Sequence, residues 1–599
     1  MNEEETDTET ETCGSLDARK TYKRKNTTSE GEASSSGLGL KSKSQKLIHF
    51  VDRIDSAEQS ELTELFCEAI YSSNCALSMF ENNKWKMFFQ KCRPTFAVPS
   101  RKQISTTYLE KCYNKIKQGV KEQVQLANNI TLMTDGWSNI RNEGIINYMV
   151  HTKNGDFFYD FLVPKAQRHT GQFMAAEIAK IMQEIGSSKI NALVTDNAAN
   201  MQAAWAQLKM EFPTLQTYGC ACHTLNLLLK DFEHIKTLGD HISMCKEIVK
   251  FFKLKQVPNA VLHEKQESAN SKQSLKLPVQ TRWGSIVECM KSIQVNKQSL
   301  REAAVNIAVA SMAPKKVQNA ILNDGVFWDR NLKFIDLLSP ITRLITYFEA
   351  TSATLSDVRH KLITLRDSFH SHVSESPFLL AEEKTAILKF SKRLEMTCTS
   401  THNAAYLLDP RYTGDNLNSD ELEGAITLIL NLTVAQDNSQ IIGEITNFRT
   451  KSNIFNKPLI WSATKVVTSA YKTSSNITPA DWWTSWFSTS ALHDVAVKLL
   501  QMPASAASCE RNWSTWGMVH SKLRNRLLTN RSGKLVYIKY NLKLLEKSNS
   551  QTSMDFSREQ EQETDSDISS ESEEQDTYSD SNKSMDMDSE TDKKEDTHT

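Results

Sequence analysis

Two carboxylates stand where an acid at a strand end could meet a ligand: Asp135 in the run LMTDGWS and Asp196 in the run LVTDNAAN. Each follows an apolar, strand-like segment. A strand-end Asp at the carboxyl edge of a sheet points into the crevice where ligands bind. If the two strands are neighbours, their side chains can share a divalent metal, because hard cations such as Mg2+ prefer carboxylate oxygens. Two such ions about 4 Å apart would stabilise both the attacking and the leaving oxygen of a phosphodiester displacement. A plainer reading stands beside this one, since Asp before Gly or Asn is a common turn residue and helix cap. Cys220, Cys222 and His223 invite a zinc reading, but no second Cys/His pair lies at usable spacing, so a closed structural site is not supported. Glu510 is by itself one Glu on a helical segment, a position usually solvated; its neighbour Arg511 suits a carboxylate or a phosphate partner.

These side chains need elements to hold them. Residues 46–125 read as mostly helical, as in SKSQKLIHFVDRIDS and YLEKCYNKIKQGVKEQVQLA, with Pro94 and Pro99 breaking the pattern between. At residue 129 the pattern changes. NITLMTDGW, IINYMVHT and DFFYDFLV read as three strands, with Asn154-Gly155 as the turn between the last two. A helix (GQFMAAEIAKIMQEIG), a buried-type strand (INALVTD) and a second helix (NMQAAWAQLKMEF) follow. Three consecutive strands can form an antiparallel meander, and a helical crossover returns the fourth strand parallel to its partner, which predicts a mixed sheet. From about 225 to 480 the chain reads as almost wholly helical. Residues 479–546 are helical and unusually aromatic, with DWWTSWF, NWSTWG and KLVYIKYNLKLL. The cluster Trp482, Trp483, Trp486 and Phe487, with Leu499 and Leu500, fits either a core or an interface. Glu510 lies more than 300 residues beyond Asp196. To join the two aspartates, the chain must leave the sheet, build a helical insertion and return.

Composition bounds the rest. The formal net charge is −1, so overall charge names no partner, but its distribution is uneven. A basic stretch runs from Arg19 to Lys25 and fits a nuclear import signal or a solvated linker, while the C-terminal tail is strongly acidic. The tail masks a net basic middle region that can attract phosphate backbones. Eleven thinly spread cysteines do not make a disulfide framework. The acidic start MNEEETDTET lacks a secretory pattern, and no apolar run approaches a membrane span, so no membrane partner is expected.

NITLMTDGWS (129–138), INALVTDNAANM (190–201) and YGCACHTLNLLL (218–229) resemble the ribonuclease H-like core of hAT superfamily transposases. TRW (281–283) and PASAASCERNWSTWG (503–517) resemble the family's next landmarks, and residues 479–546 resemble its C-terminal dimerisation region. The landmarks span about 46–546 in the family's order. The resemblance implies that Asp135, Asp196 and Glu510 are the catalytic set and bind two Mg2+ or Mn2+ ions. It implies that water activated at the metals attacks a strand at the element's end. The freed 3′-hydroxyl then attacks the opposite strand or target DNA, leaving a hairpin on flanking DNA. Cys220 and His223 would support the site rather than bind metal. Arg282 would contact phosphate, and Trp283 would stack on a base taken out of the helix or pack in the core. Trp137 reads as core. Trp482, Trp483, Leu499 and Leu500 would form the dimerisation surface, which implies a homodimer or higher oligomer acting on DNA in the nucleus.

The pattern departs from the family in two places. Cys509 sits where the family usually has Ser. Many members carry an N-terminal BED zinc finger, and with only Cys13 before Cys67 none is expected here. That leaves two functional readings, an active transposase or a host-adopted, non-catalytic nuclear DNA-binding or protein-interaction dimer. The expected fold class is an α/β ribonuclease H-like core with a mixed sheet, interrupted by a large all-helical insertion, with disordered acidic termini. The expected divisions are 1–45 disordered with a basic stretch, 46–125 helical, 126–232 core, 233–478 insertion, 479–546 helical remainder of the core with the dimerisation region, and 547–599 disordered acidic tail.

Overall fold

The computed structural model describes residues 52–269, 273–279, 284–323, 325–433, 437–465 and 477–553. The chain divides into two compact units, Met1–Arg53 and Ile54–Thr599, and the elements below belong to the second. The expected disorder of residues 1–45, the basic stretch Arg19–Lys25 and the tail beyond residue 553 lie outside the described residues. The protein is mostly helical around one five-stranded mixed sheet. No described helix is long and apolar enough to cross a membrane.

Four helices come first: α1 (Ser56–Ser72), α2 (Asn83–Cys92), α3 (Arg101–Ser105) and α4 (Thr107–Leu126). The predicted helix over SKSQKLIHFVDRIDS is corrected where it is described, because residues 52–55 are not helical. Asp55 is instead the N-cap of α1, its carboxylate accepting the N–H groups of Ala57 and Glu58.

The sheet is built from β1 (Ile130–Ser138), β2 (Gly144–Thr152), β3 (Gly155–Leu162), β4 (Ile190–Thr195) and β5 (Gln216–Gly219), in the order β3-β2-β1-β4-β5. β1, β2 and β3 form the antiparallel meander, and β4 lies parallel to β1 after the crossover helix α5 (Gly171–Ile185). β5, parallel to β4, was not foreseen; four residues between Pro213 and a Gly-Cys step give too little alternation to read. Two helices flank it, α6 (Ala199–Glu211) and α7 (Ala221–Glu233).

The chain then runs through helices alone, among the described residues, to Lys465. Two of these matter below: α8 (Val326–Glu349) and α9 (Leu355–Ser374). It returns through α10 (Pro479–Trp486), α11 (His493–Leu500), α12 (Ala507–Val519) and α13 (Thr529–Ser553). The expected start of the acidic tail at 547 is corrected, since α13 continues to Ser553.

Alternation along the strands separates two faces. Met133, Asp135 and Trp137 share one face of β1, opposite Met149, Asn147 and Ile145 of β2. That face lies under α12 and α13: Trp137 stacks on Trp513 at 5.4 Å, Phe161 meets Trp516 at 5.6 Å and Phe158 meets Tyr537 at 5.4 Å. Trp137 is thus half-buried in a ring stack. α13 approaches β3 so closely that a Cβ on Gly533 would fall 2.1 Å from the Phe161 ring. Only a residue without a side chain fits there.

The four residues expected at a dimerisation surface are corrected by their burial. Trp482, Trp483 and Leu499 are inaccessible and Leu500 nearly so. Trp483 donates its indole N–H to the Leu408 carbonyl, and both tryptophans pack on Phe448 and Phe487. Their apolar area is spent on the protomer's own core, the bland alternative for such a cluster.

Candidate functional site

The register of the sheet brings the two aspartates together. β4 pairs with β1 as far as Met133↔Val194, and two steps further along each strand stand Asp135 and Asp196. Asp196 follows the end of β4, but Asp135 is not at a strand end: β1 continues to Ser138, paired with β2 alone. β1 therefore runs on past the point where β4 stops. Asp196 also plays the plainer role weighed for it, one of its oxygens accepting the Ala198 N–H ahead of α6.

α12 carries Glu510 towards Asp135. Trp513 donates its indole N–H to Asp135 Oδ2 at 2.7 Å. Glu510 lies three residues earlier, on the same helical face. Asn147 ties β2 to both sides: its amide oxygen accepts the Asp135 N–H, and its NH2 group donates to the Cys509 carbonyl and to Asn512 Oδ1. Cys509 itself is buried, its thiol pushed well up by burial and by the Asp135 charge.

The carboxylates affect one another. Burial, reinforced by the Asp196 charge, pushes Asp135 up to about 6, against the opposing pull of the Trp513 hydrogen bond. Burial also pushes Glu510 up to about 7, with the charges of Asp135 and Glu349 adding to it. Glu349 was not singled out in the sequence. It ends α8, a helix of the insertion, and nothing in its local pattern marks it; only the fold brings it beside Glu510. His223, on α7, is held low by burial, with the Asp196 charge opposing and Lys230 and Arg393 adding. Among the described residues no three His, Cys, Asp or Glu side chains stand close enough to hold one metal ion as arranged.

The remaining predicted residues hold the frame. Arg511 donates to the Glu349 carbonyl at 2.6 Å and to Asp156 Oδ2 at 2.9 Å, so its partner is a carboxylate. Cys220 is buried; its N–H donates to the Thr195 carbonyl, and its Sγ accepts the Ala506 N–H just before α12. Arg282 and Trp283 lie outside the described residues.

Asn197 and Asn200, in the same TDNAAN run, anchor the loop after β4. Asn197 donates to Thr224 Oγ1 at 2.9 Å, and Asn200 donates to the His169 carbonyl at 2.9 Å. A Cβ on Gly219 would lie 2.1 Å from Asn197 Oδ1. Gly219→Ala is therefore expected to expel the Asn197 amide and destabilise the protein by about 1–3 kcal/mol. Chemical denaturation at neutral pH checks this, and an unchanged midpoint would contradict the packing described.

Sequence comparisons bear on the same regions. Residues 99–248, which include the whole sheet, match the model of a domain of unknown function (DUF659). Residues 460–542, which include Glu510, match the hAT family C-terminal dimerisation region. A putative AC transposase of Zea mays is 23% identical over 370 residues, covering 57% of this chain and 44% of that protein. The chain thus spans under half the length of this curated relative. Both matches lie on the two parts of the chain that carry Asp135, Asp196 and Glu510, and with the relative they support a transposase of the hAT family.

Proposed function

We propose that the chain cuts and joins DNA at a divalent-metal site on a ribonuclease H-like core. The single observation that carries this reading is the placement of Asp135, Asp196 and Glu510, with Asp135 within electrostatic reach of each of the other two. They come from two parallel strands and a helix more than 300 residues later, and the charge of Asp135 bears on Glu510 as that of Asp196 bears on Asp135. Asp135 and Glu510, held above their usual range by burial and like charge, form a site that a cation would relieve. The donor chemistry fits Mg2+ or Mn2+. The arrangement seen does not yet fit one ion, because Trp513 occupies an oxygen of Asp135 and no three ligands converge. Loading would draw on the other oxygen of Asp135 or exchange its indole partner for the cation.

Bound there, the cations would supply charge stabilisation to the attacking and leaving oxygens. Asp135, Asp196 and Glu510 would hold them. Arg511 would fix the height of α12, and Asn147 would fix the spacing of β1 and β2 beneath it. Glu349 would add negative charge from the insertion, coupling that block to the site. Arg282 and Trp283 remain proposed for phosphate contact and base stacking, and the match to a dimerisation region supports self-association. Nuclear localisation rests on the Arg19–Lys25 stretch.

The test incubates the full chain with Mn2+ and duplex DNA taken from either side of its gene. Nicking is expected, with loss in Asp196→Ala; no nicking, or nicking that survives the substitution, would sink the reading. A second reading, a non-catalytic DNA-binding or protein-interaction dimer, draws on the grip of Trp513 on Asp135. Under it, DNA binding persists without any Mn2+-dependent product.

A further inference from the structure

α2 buries none of its ten residues. Phe89 holds it to the body through an edge contact with Phe66 and tilted contacts with Phe80 and Phe96. This leaves Trp85 36%, Met87 51% and Phe88 53% exposed, with the Trp85 and Phe88 rings 5.8 Å apart. Large rings are kept in water at a cost, so their exposure on a short helix calls for a partner.

Charge says which partner. Between Asn82 and Leu109 the chain has six basic residues and no acidic one: Lys84, Lys86, Lys91, Arg93, Arg101 and Lys102. Arg93 pairs with Glu58 at 2.6 Å and Arg101 reaches Glu81 at 3.8 Å, and the four lysines stand outside both pairs. A cavity of about 610 Å3 adjoins the helix, lined by Phe80, Lys86, Phe89, Phe96 and Arg101 among others. Exposed rings interleaved with lysines that make no ion pair among the described residues suit a strand with stacked bases and a phosphate backbone. A second copy of the same face across a two-fold axis would set like charges against like.

The surface is fastened to the helix that bears Glu510. Asn74, just past α1, donates to the Met518 carbonyl on α12 at 3.0 Å, and Arg524 donates to Asn74. Met518 and Glu510 are about 12 Å apart along that helix.

We propose that α2 and the adjoining cavity dock single-stranded or unpaired DNA, with Trp85 and Phe88 stacking on bases and Lys84, Lys86, Lys91 and Lys102 meeting phosphates. The inference rests on the reading that the chain acts on DNA. It concerns binding and not cutting, so the two fail separately. The test measures fluorescence anisotropy of the full chain with a labelled single strand, a forked duplex and a blunt duplex, without metal. The Trp85→Ala/Phe88→Ala variant is expected to bind single strand and fork about tenfold or more weakly and blunt duplex within about twofold. The Lys84→Glu/Lys91→Glu variant, which touches no ring, is expected to weaken all three and to flatten the salt dependence by about one to two ions. Wild-type affinity in both variants would overturn the proposal. So would equal loss on blunt duplex and single strand in the ring variant. A shift from dimer to monomer by light scattering with DNA affinity unchanged would overturn it too, assigning the face to a second copy.

Discussion

Glu510→Gln is expected to abolish Mn2+-dependent DNA nicking and, at about pH 8, to make the metal-free protein more stable than the wild type. The Glu510 carboxyl sits at about 7, against an ordinary value of 4.5. A carboxyl whose folded value is raised keeps its proton in the folded state where the unfolded chain has released it. Stability therefore falls as pH rises through that window, and the full penalty is present above it. Gln removes the charge and keeps the shape, recovering about 1–3 kcal/mol at pH 8 and almost nothing near pH 4.5. Mn2+ reverses the order, because an ion bound only to the folded state raises stability in proportion to its occupancy. Thermal unfolding with and without Mn2+ at both pH values reads all of this. A gain that does not depend on pH, or a Mn2+ shift kept by the variant, would show that Glu510 faces no cation.

Much of this geometry could be read from sequence because it follows local rules. The three strands, the Asn154-Gly155 turn and the crossover helix each announce themselves by period, so the neighbourhood of β1 and β4, and with it Asp135 beside Asp196, was legible. Glu510 was legible only through its ordered context, since its own helix gives no sign of facing a sheet. Glu349 was not legible at all: the end of a helix in the insertion acquires meaning only when the chain returns. Trp513 likewise read as one aromatic among many until the fold aimed its N–H at Asp135. The aromatic run at Trp482 misled because a buried ring and an interface ring have the same sequence signature; what separates them is whether Phe448 and Phe487 are there to cover it.

Asp156→Ala is expected to destabilise the protein by about 3 kcal/mol at pH 7, because it strips a buried anion from two partners. Asp156 is 7% exposed on β3; one oxygen accepts from Arg511 at 2.9 Å and the other from His151 Nδ1 at 2.6 Å. Burial alone would raise its carboxyl, but the His151 hydrogen bond and the charges of His151 and Arg511 outweigh it and hold the group below its usual value. The sign is thus opposite to that of Glu510. A depressed carboxyl contributes stability that is present above the unfolded value near 3.9 and is lost as pH falls through the folded one. The gap between wild type and Asp156→Asn should therefore narrow below about pH 4, where the carboxyl takes up its proton, whereas the Glu510→Gln gain varies across the neutral range. Arg511 also donates to the Glu349 carbonyl, so the same guanidinium spans β3, α12 and the end of α8. Arg511→Lys cannot bridge both partners from one point charge. If the bridge sets the height of α12, that variant loses Mn2+-dependent nicking while keeping most of its stability. If nicking and stability fall together, the bridge holds the fold and does not tune the site.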